Sequence, residues 1–366
     1  MIIKNINILK EDYIPPTFVH RDREIAELNR IFYVYRRYQT LTNNIYIYGP
    51  AGTGKTQIVL KYLRELGLPY TYCSCREYNT TYQVLKTITE QLTGKQIPPN
   101  KPTHECFSLI KEKIKDSYVL VLDDIQSVVR DSYFDKIIFG LSRIGWDISK
   151  QCMLIMIGNI VPKDLKSNLA SHTLDGLKLR YIYFPKYNAE QLKDILIGRE
   201  NAFYKLPVQA INYISAYVAQ QWGSARLAID LLRESCILAE MMGKNDVDYK
   251  DVEKSISIVE EKELEDILTN LPIQALLVCE AIANISLPAT PSQIYGKYVE
   301  LCNKNGFRPL TLRRLSDILC DLEGEGLINT KIEFRGRYGR KKIVLNYCLD
   351  KELHNKYIKN KLDFIT

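Results

Sequence analysis

The chain has 366 residues, of which 46% are hydrophobic and 25% are charged, and its formal net charge is +7. This length exceeds one ordinary hydrophobic core, so we expect two or three domains. No apolar run is long enough for a signal peptide or a membrane span, which predicts a cytoplasmic protein with no membrane partner. The nine cysteines and four histidines are scattered without metal-site or disulfide spacing, so we expect reduced, buried thiols.

The first half of the chain alternates between short apolar runs and amphipathic stretches. Helical spacing of apolar residues predicts helices over 21–38, 57–66, 80–92, 104–115 and 133–144. The apolar runs predict strands over 45–48, 70–74, 118–122, 153–157 and 181–184. Because each strand is apolar throughout and helices alternate with the strands, the pattern predicts an α/β domain with a parallel sheet covered on both faces.

Beyond Pro185 the pattern changes to helices alone until about residue 260, with breaks near Pro207, Gly223 and Gly243. Three further helices are predicted over 263–285, 291–304 and 311–325, followed by strands over 327–334 and 341–347. Three helices and a β-hairpin with a basic tip form a winged-helix pattern. The expected domains are therefore an α/β domain over 1–185, an all-helical lid over 186–262 and a winged helix over 263–366.

The segment that follows the first strand carries the P-loop pattern of glycines and a Lys-Thr pair. Glycines leave backbone N–H groups open to a polyphosphate, and the next helix points its partial positive charge at the same place. We therefore predict that ATP or ADP binds here, with Lys55 on the phosphates and the Thr56 hydroxyl on Mg²⁺. The predicted loop comprises Gly49, Pro50, Ala51, Gly52, Thr53, Gly54, Lys55 and Thr56. The alternative is a glycine-rich turn that happens to carry a lysine.

Polar residues end the two apolar strands that follow. Asp123 closes the strand over 118–122, at the edge of a parallel sheet where ligands bind, and its carboxylate can hold Mg²⁺ opposite Thr56. Asp124 can orient or deprotonate a water, and the amide of Asn159 can place that water near the γ-phosphate. The alternatives are a helix N-cap for the aspartates and a plain turn residue for Asn159.

Arg226 lies in the first turn of a helix that Ser224 is suited to cap. A cation at this position opposes the helix dipole, so stability alone does not explain the choice. Contact with a phosphate across the boundary between the α/β domain and the lid would explain it. The alternative is an exposed, solvated arginine.

The end of the chain is locally basic, with six lysines and arginines against one glutamate between residues 331 and 342. Arginines on a glycine-containing hairpin tip suit the narrow, negative minor groove of DNA, and a tyrosine there can pack on the backbone. Arg313 and Arg314 open the third helix, behind a plausible Thr311 N-cap, and that helix would enter the major groove. The predicted DNA-binding residues of the tip are Arg335, Gly336, Arg337, Tyr338 and Arg340. The alternative is a solvated basic hairpin.

Together these motifs resemble the Walker A, Walker B, sensor 1 and sensor 2 elements of AAA+ ATPases, carried by residues 49–56, 123–124, 159 and 223–226. The flanking sequences at 12–15, 20–24, 184–192 and 335–340 resemble those of archaeal replication initiators. Those proteins are relatives of the eukaryotic origin recognition complex and of its helicase-loading partner ATPase. The resemblance implies an AAA+ core, an all-α lid and a winged helix.

The resemblance also implies a function. It predicts an ATP-dependent, nucleoid-associated initiator that binds duplex DNA at a replication origin, with ATP or ADP and Mg²⁺ as cofactors. The replicative helicase is the implied partner, with self-association or pairing with a paralogue on DNA. Val19, Arg21 and Tyr187 join the expected nucleotide-binding residues, while Asp124, Asn159 and Arg226 are the expected catalytic ones.

Two positions depart from the family pattern. Asp124 stands where the family usually has glutamate, and the missing methylene draws the carboxylate back from the water, so we expect slow or absent hydrolysis. The stretch over 162–169 has only lysines where the family supplies an arginine to a neighbour's ATP, and lysine lacks the planar guanidinium. Two other functions stay open: a DNA-binding regulator with ADP or ATP as a structural cofactor, and a nucleotide-switched protein adaptor.

Overall fold

The computed structural model describes residues 1–38, 41, 43–78, 80–144, 151–334, 340–349 and 351–365. They form two compact units, Met1–Ser255 and Ile256–Thr366. The first unit contains a parallel sheet with the strand order β2-β3-β4-β1-β5. Its strands are β1 (Ile45–Tyr48), β2 (Tyr70–Ser74), β3 (Tyr118–Asp123), β4 (Cys152–Gly158) and β5 (Arg180–Tyr183).

Helices cover both faces of this sheet. They are α1 (Asp22–Tyr38), α2 (Lys55–Glu65), α3 (Thr81–Thr93), α4 (Thr103–Lys113), α5 (Phe134–Ser142), α6 (Pro162–Ser167) and α7 (Ser171–Leu177). Alternate residues of one strand supply separate cores: Val119 and Val121 pack with α1 and α2, whereas Leu120 and Leu122 pack with α3, α4 and α5. Strands that are buried on both faces are continuous apolar runs in the sequence, which is the pattern from which the α/β core was predicted. That prediction is confirmed.

The rest of the first unit is helical, with α8 (Ala189–Ile197), α9 (Val208–Gln221), α10 (Ala225–Met241) and the start of α11 (Tyr249–Asn270). An N-terminal strap, residues 1–16, joins these lid helices to the sheet domain. Leu9 is fully buried, and its carbonyl accepts a hydrogen bond from Arg233 of α10 at 3.3 Å. Further along, the Pro15 carbonyl accepts one from Lys61 of α2 at 3.1 Å.

The second unit is a winged helix, as predicted. Helices α12 (Ile273–Ala283), α13 (Pro291–Lys304) and α14 (Leu312–Gly324) precede the antiparallel hairpin of β6 (Ile328–Phe334) and β7 (Arg340–Tyr347). A C-terminal helical segment follows in three consecutive pieces, Lys351–Leu353, His354–Lys359 and Asn360–Ile365. The His354 imidazole lies in the core, with its nitrogens 2.8 Å from the Tyr347 hydroxyl and 2.7 Å from the Glu280 carboxylate.

Two expectations were wrong in detail. The helix predicted over 263–285 is two helices, because Pro272 lacks the N–H of a helix interior and caps α12 while α11 ends at Asn270. All nine cysteines are free, yet Cys320 and Cys348 are exposed rather than buried.

Among the described residues no single helix is long and apolar enough to cross a membrane, although Tyr249–Thr269 and Ile273–Ala283, which meet at a bend, pass that test jointly.

Candidate functional site

The loop between β1 and α2 has a backbone that only glycine adopts readily. Gly49 and Gly52 have φ values of +147° and +70°, in the region that L side chains avoid. A methyl carbon on Gly49 would lie 2.1 Å from the Phe184 carbonyl oxygen, and one on Gly52 would lie 1.9 Å from the Ser224 hydroxyl oxygen. The loop therefore lacks side chains that would block the approach of a polyphosphate, and it packs against the lid.

Lys55 is the first residue of α2, two residues earlier than the predicted helix start. Its Nζ donates to the carbonyl oxygens of Gly49 and Pro50 at 2.8 and 2.7 Å. Burial lowers the pKa of this amine to about 8, against the opposing effects of Asp123 and Asp124. The ammonium thus lies inside the loop, where two backbone carbonyl oxygens accept its hydrogen bonds.

The two predicted Mg²⁺ ligands are in contact. The Thr56 hydroxyl donates to Asp123 Oδ2 at 2.6 Å, and the Asp124 N–H donates to Asp123 Oδ1 at 2.9 Å. Burial raises the pKa of the Asp123 carboxyl, while these hydrogen bonds oppose the shift. A hydroxyl and a carboxylate side by side are oxygen ligands of the kind that Mg²⁺ takes, so the residues fit the implied metal.

Tyr72 of β2 is a member of this site that the sequence did not reveal. Its hydroxyl donates to Asp123 Oδ2 at 3.0 Å. The β2–β3 register sets Ser74 beside Asp123, and Tyr72 lies two residues earlier on the same face. Strand alternation shows which face of the sheet carries Tyr72. Only the pairing register between β2 and β3 shows that its hydroxyl reaches Asp123.

Asp124 and Asn159, at the ends of β3 and β4, are joined by a third residue. Gln126 Nε2 donates to Asp124 Oδ1 at 2.8 Å, and the Asn159 N–H donates to Gln126 Oε1 at 3.3 Å. Asp124 itself has a left-handed backbone, with φ +51° and ψ +44°. Gln126 thus connects the Asp124 carboxylate to the backbone of Asn159, while the catalytic roles of Asp124 and Asn159 stay predictions.

The first turn of α10 contacts the phosphate loop. The Ala225 N–H donates to the Gly52 carbonyl at 2.9 Å, and the Ser224 hydroxyl caps the helix by accepting from the Leu227 N–H at 3.3 Å. Arg226, in this turn, lies with Nε 3.4 Å from Glu11 Oε1 of the N-terminal strap, and both side chains are more than half exposed. The predicted lid arginine is therefore at the loop, paired with an acid.

Arg21 and Tyr187 support the loop from behind. The Arg21 guanidinium is buried, donates to the carbonyls of Thr53 at 3.1 Å and Pro185 at 2.9 Å, and stacks 3.7 Å from the Tyr187 ring centroid. The Tyr187 hydroxyl also donates to Thr53 O, at 3.3 Å. Val19 lies nearby in sequence and is exposed. Direct contact of these three residues with nucleotide stays a prediction.

The predicted DNA-binding residues fall in two groups. Arg313 and Arg314 are exposed in the first turn of α14, which the Thr311 hydroxyl caps at 3.4 Å from the Arg314 N–H, as expected. Arg340 opens β7 and pairs with Phe334 in the hairpin. The residues of the tip lie outside the described residues: Arg335, Gly336, Arg337 and Tyr338.

One cation of the basic hairpin has a partner within the domain. Lys342 Nζ lies 2.6 Å from Glu323 Oε2 of α14, and this contact lowers the pKa of the Glu323 carboxyl. The local positive charge counted from the sequence is therefore partly offset by an acid from another element.

A P-loop with an acidic strand end, a helical lid and a winged helix together define an AAA+ ATPase with a nucleic-acid-binding module. Three family models match accordingly: "AAA ATPase domain" over residues 17–135, "Cdc6 AAA+ ATPase-type lid domain" over 193–257 and "CDC6, C terminal winged helix domain" over 266–354. The ORC1-type DNA replication protein of Pyrococcus abyssi is 35% identical over 369 residues, covering 94% of this chain and 87% of that protein. The chain belongs to this family of archaeal ORC1/Cdc6-type replication initiators.

Other relatives and solved structures agree with this assignment. ORC1-type DNA replication protein 1 of Archaeoglobus fulgidus is 31% identical, covering 93% of this chain and 86% of that protein. The structure of Aeropyrum pernix ORC1 in complex with DNA has a TM-score of 0.83 at 27% identity, covering 98% of this chain and 97% of that one. The predicted family resemblance is confirmed.

Proposed function

We propose that this protein is an ATP-dependent initiator that binds duplex DNA at a replication origin and helps to recruit the replicative helicase. Slow ATP hydrolysis serves as its switch. The observation that carries the proposal is the contact of the phosphate loop with the lid, through the Ala225 N–H and the Gly52 carbonyl at 2.9 Å. A triphosphate held in that loop lies beside Arg226, so its γ-phosphate can bias the lid position.

Each proposed role in nucleotide binding follows from a position in this site. Lys55 and the loop N–H groups hold the phosphates, and Thr56 and Asp123 hold Mg²⁺, which neutralises phosphate charge when bound. Asn159 and Asp124 orient the attacking water. Asp124 is one methylene shorter than glutamate, which supports a slow reaction.

DNA binding is proposed for the second unit. The exposed first turn of α14, with Arg313 and Arg314, has the position of a recognition helix, and the hairpin residues 335–340 are expected in the adjacent minor groove. The Aeropyrum pernix ORC1 relative was solved with DNA, which supports this assignment. Three domains over 1–185, 186–262 and 263–366, a helicase partner and self-association on DNA are parts of the same proposal.

The proposal is tested by binding measurements on the full chain. Lys55→Ala is expected to abolish binding of a fluorescent ATP analogue, whereas Lys86→Ala on α3 removes a partly buried lysine that pairs with Glu90 at 3.7 Å and keeps binding. Footprinting of the DNA that flanks its own gene is expected to show an ATP-dependent protected region. Unchanged ATP affinity in Lys55→Ala, or footprints without any protection, would contradict the proposal.

One observation favours a second function. Asp124 replaces glutamate, and α6 carries Lys163 and Lys166 where the family supplies an arginine, so a protein that holds its nucleotide without turnover is also consistent with the site. In that case the protein is a DNA-binding regulator with ADP or ATP as a structural cofactor. Co-purified nucleotide together with no measurable turnover would favour it.

A further inference from the structure

The side-chain amide of Gln126 has two partners that fix its orientation. Asp124 Oδ1, at 2.8 Å from Nε2, belongs to a carboxylate and accepts, whereas the Asn159 N–H, at 3.3 Å from Oε1, only donates. An amide offers both donors and an acceptor, so this pair of partners admits only one placement of its nitrogen and oxygen. Gln126 therefore connects the end of β3 to the end of β4.

The backbone around Gln126 is held on several sides. Residues Ile125–Ser127 form a 3-10 turn, which the Ser127 N–H closes on the Asp124 carbonyl at 3.1 Å. The Ile125 side chain is fully buried and anchors the turn in the core. The left-handed backbone of Asp124, uncommon for a residue with a side chain, turns the chain so that Gln126 lies back over the strand ends.

The neighbouring strand leaves room for the amide. A methyl carbon on Gly158, the last residue of β4, would lie 3.2 Å from Gln126 Oε1 and 3.0 Å from Ile125. Any side chain at residue 158 would crowd the 3-10 turn and the hydrogen-bonded Gln126 amide. A glycine directly before Asn159 thus allows the amide to reach the Asn159 backbone.

We propose that Gln126 is a positioning residue for ATP hydrolysis, which keeps the Asp124 carboxylate in one orientation and ties it to the backbone of Asn159. This inference rests on the proposed ATPase function. Gln126 engages Oδ1 through a neutral amide, so it restrains the carboxylate without cancelling its charge, and Oδ2 remains the oxygen for the attacking water.

Loss of the Gln126 amide should slow ATP hydrolysis and leave ATP binding unchanged. Among the described residues, Gln126 makes no hydrogen bond to the phosphate loop or to the Thr56–Asp123 pair. Gln126→Ala is expected to lower kcat at least about tenfold, as displacement of a reacting group by about 1 Å does. The dissociation constant for ATP should stay within about twofold. Gln126→Glu keeps the size but sets an anion against Asp124, and the same loss is expected.

The experiment measures single-turnover hydrolysis and binding of a fluorescent ATP analogue on the full chain. Ser127→Ala, an exposed side chain on the same 3-10 turn, is the matched control and should behave as the unaltered protein. In an Asp124→Ala background, Gln126→Ala should cause no further loss, since the two residues act as one unit. Such non-additivity distinguishes positioning from a general effect on folding.

The outcomes separate this inference from the function on which it rests. Unchanged kcat in Gln126→Ala, an additive loss with Asp124→Ala, or weaker ATP binding in both Gln126 variants overturns the positioning role alone. An unaltered protein that binds ATP without measurable turnover overturns the role and leaves the nucleotide-holding regulator. An unaltered protein that binds no ATP contradicts the proposed function itself.

Discussion

The contact between Gly52 and the lid can be tested with a single methyl group. A Cβ at residue 52 would lie 1.9 Å from the Ser224 hydroxyl oxygen and 3.3 Å from Arg226 Cβ, on a backbone with φ +70°. Gly67, after α2, has nearly the same backbone, with φ +64°, and a Cβ there would meet nothing within 4 Å. Gly67→Ala therefore has the same backbone strain without the steric contact.

The magnitudes follow from this comparison. An L residue in the left-handed region costs about 1 kcal/mol, so Gly67→Ala should lose about that much unfolding free energy and bind ATP normally. Gly52→Ala must also displace Ser224 from its capping position, which costs about 1 kcal/mol, and crowd Arg226. We expect Gly52→Ala to lose about 2–4 kcal/mol in total and to weaken ATP binding more than tenfold.

Urea denaturation and titration with a fluorescent ATP analogue measure both quantities. The double variant Gly52→Ala with Ser224→Gly removes the hydroxyl that the methyl would meet, and glycine is a tolerable N-cap, so most of the ATP affinity should return. Equal effects of Gly52→Ala and Gly67→Ala on ATP binding would refute the reasoning, because the lid contact would then have no influence on the loop.

Three further predictions concern other parts of the molecule. Arg21→Met leaves the buried Glu24 carboxylate without the cation 3.5 Å away, so urea denaturation should show a loss of about 3–5 kcal/mol; a loss below about 1 would contradict this. The contact with His354 lowers the pKa of the Glu280 carboxyl. As the pH falls, this carboxyl is therefore protonated in the unfolded chain before it is protonated in the folded protein. The stability advantage over Glu280→Gln should be complete well above pH 4.5 and shrink below it, and an advantage that grows in acid would refute the pairing. Arg313→Ala should reduce the salt dependence of duplex binding, measured by fluorescence anisotropy, by a slope of about 0.9, while an unchanged slope would place Arg313 away from phosphate.

The sequence predicted those parts of the site whose chemistry is local. The phosphate loop needs its glycines, Lys55 and Thr56 within eight consecutive residues, and Asp123 is recognisable as the acidic end of an apolar strand. Both signals depend on neighbours along the chain, so no tertiary information is needed to interpret them. In the structure the Thr56 hydroxyl donates to Asp123 at 2.6 Å, while Mg²⁺ binding by this pair stays a prediction.

The parts that escaped prediction depend on packing between distant segments. Tyr72 reaches Asp123 through strand register, and Gln126 reaches Asn159 across two strand ends, neither of which has a sequence motif. The hydrogen bonds by which Arg21 supports the phosphate loop could not be predicted from the sequence either, because the acceptors at Thr53 and Pro185 lie 32 and 164 residues away along the chain. The break at Pro272 has a local signal in the sequence, because proline lacks the N–H that a helix interior requires.

The N-terminal strap sets a geometric limit on lid movement. It is fastened to α10 through the Leu9 carbonyl and to α2 through the Pro15 carbonyl. The six residue steps from Leu9 to Pro15 span at most about 22 Å when fully extended, since an extended chain advances about 3.3–3.6 Å per residue. While both hydrogen bonds hold, α10 and α2 cannot separate at these two points by more than the fully extended strap allows.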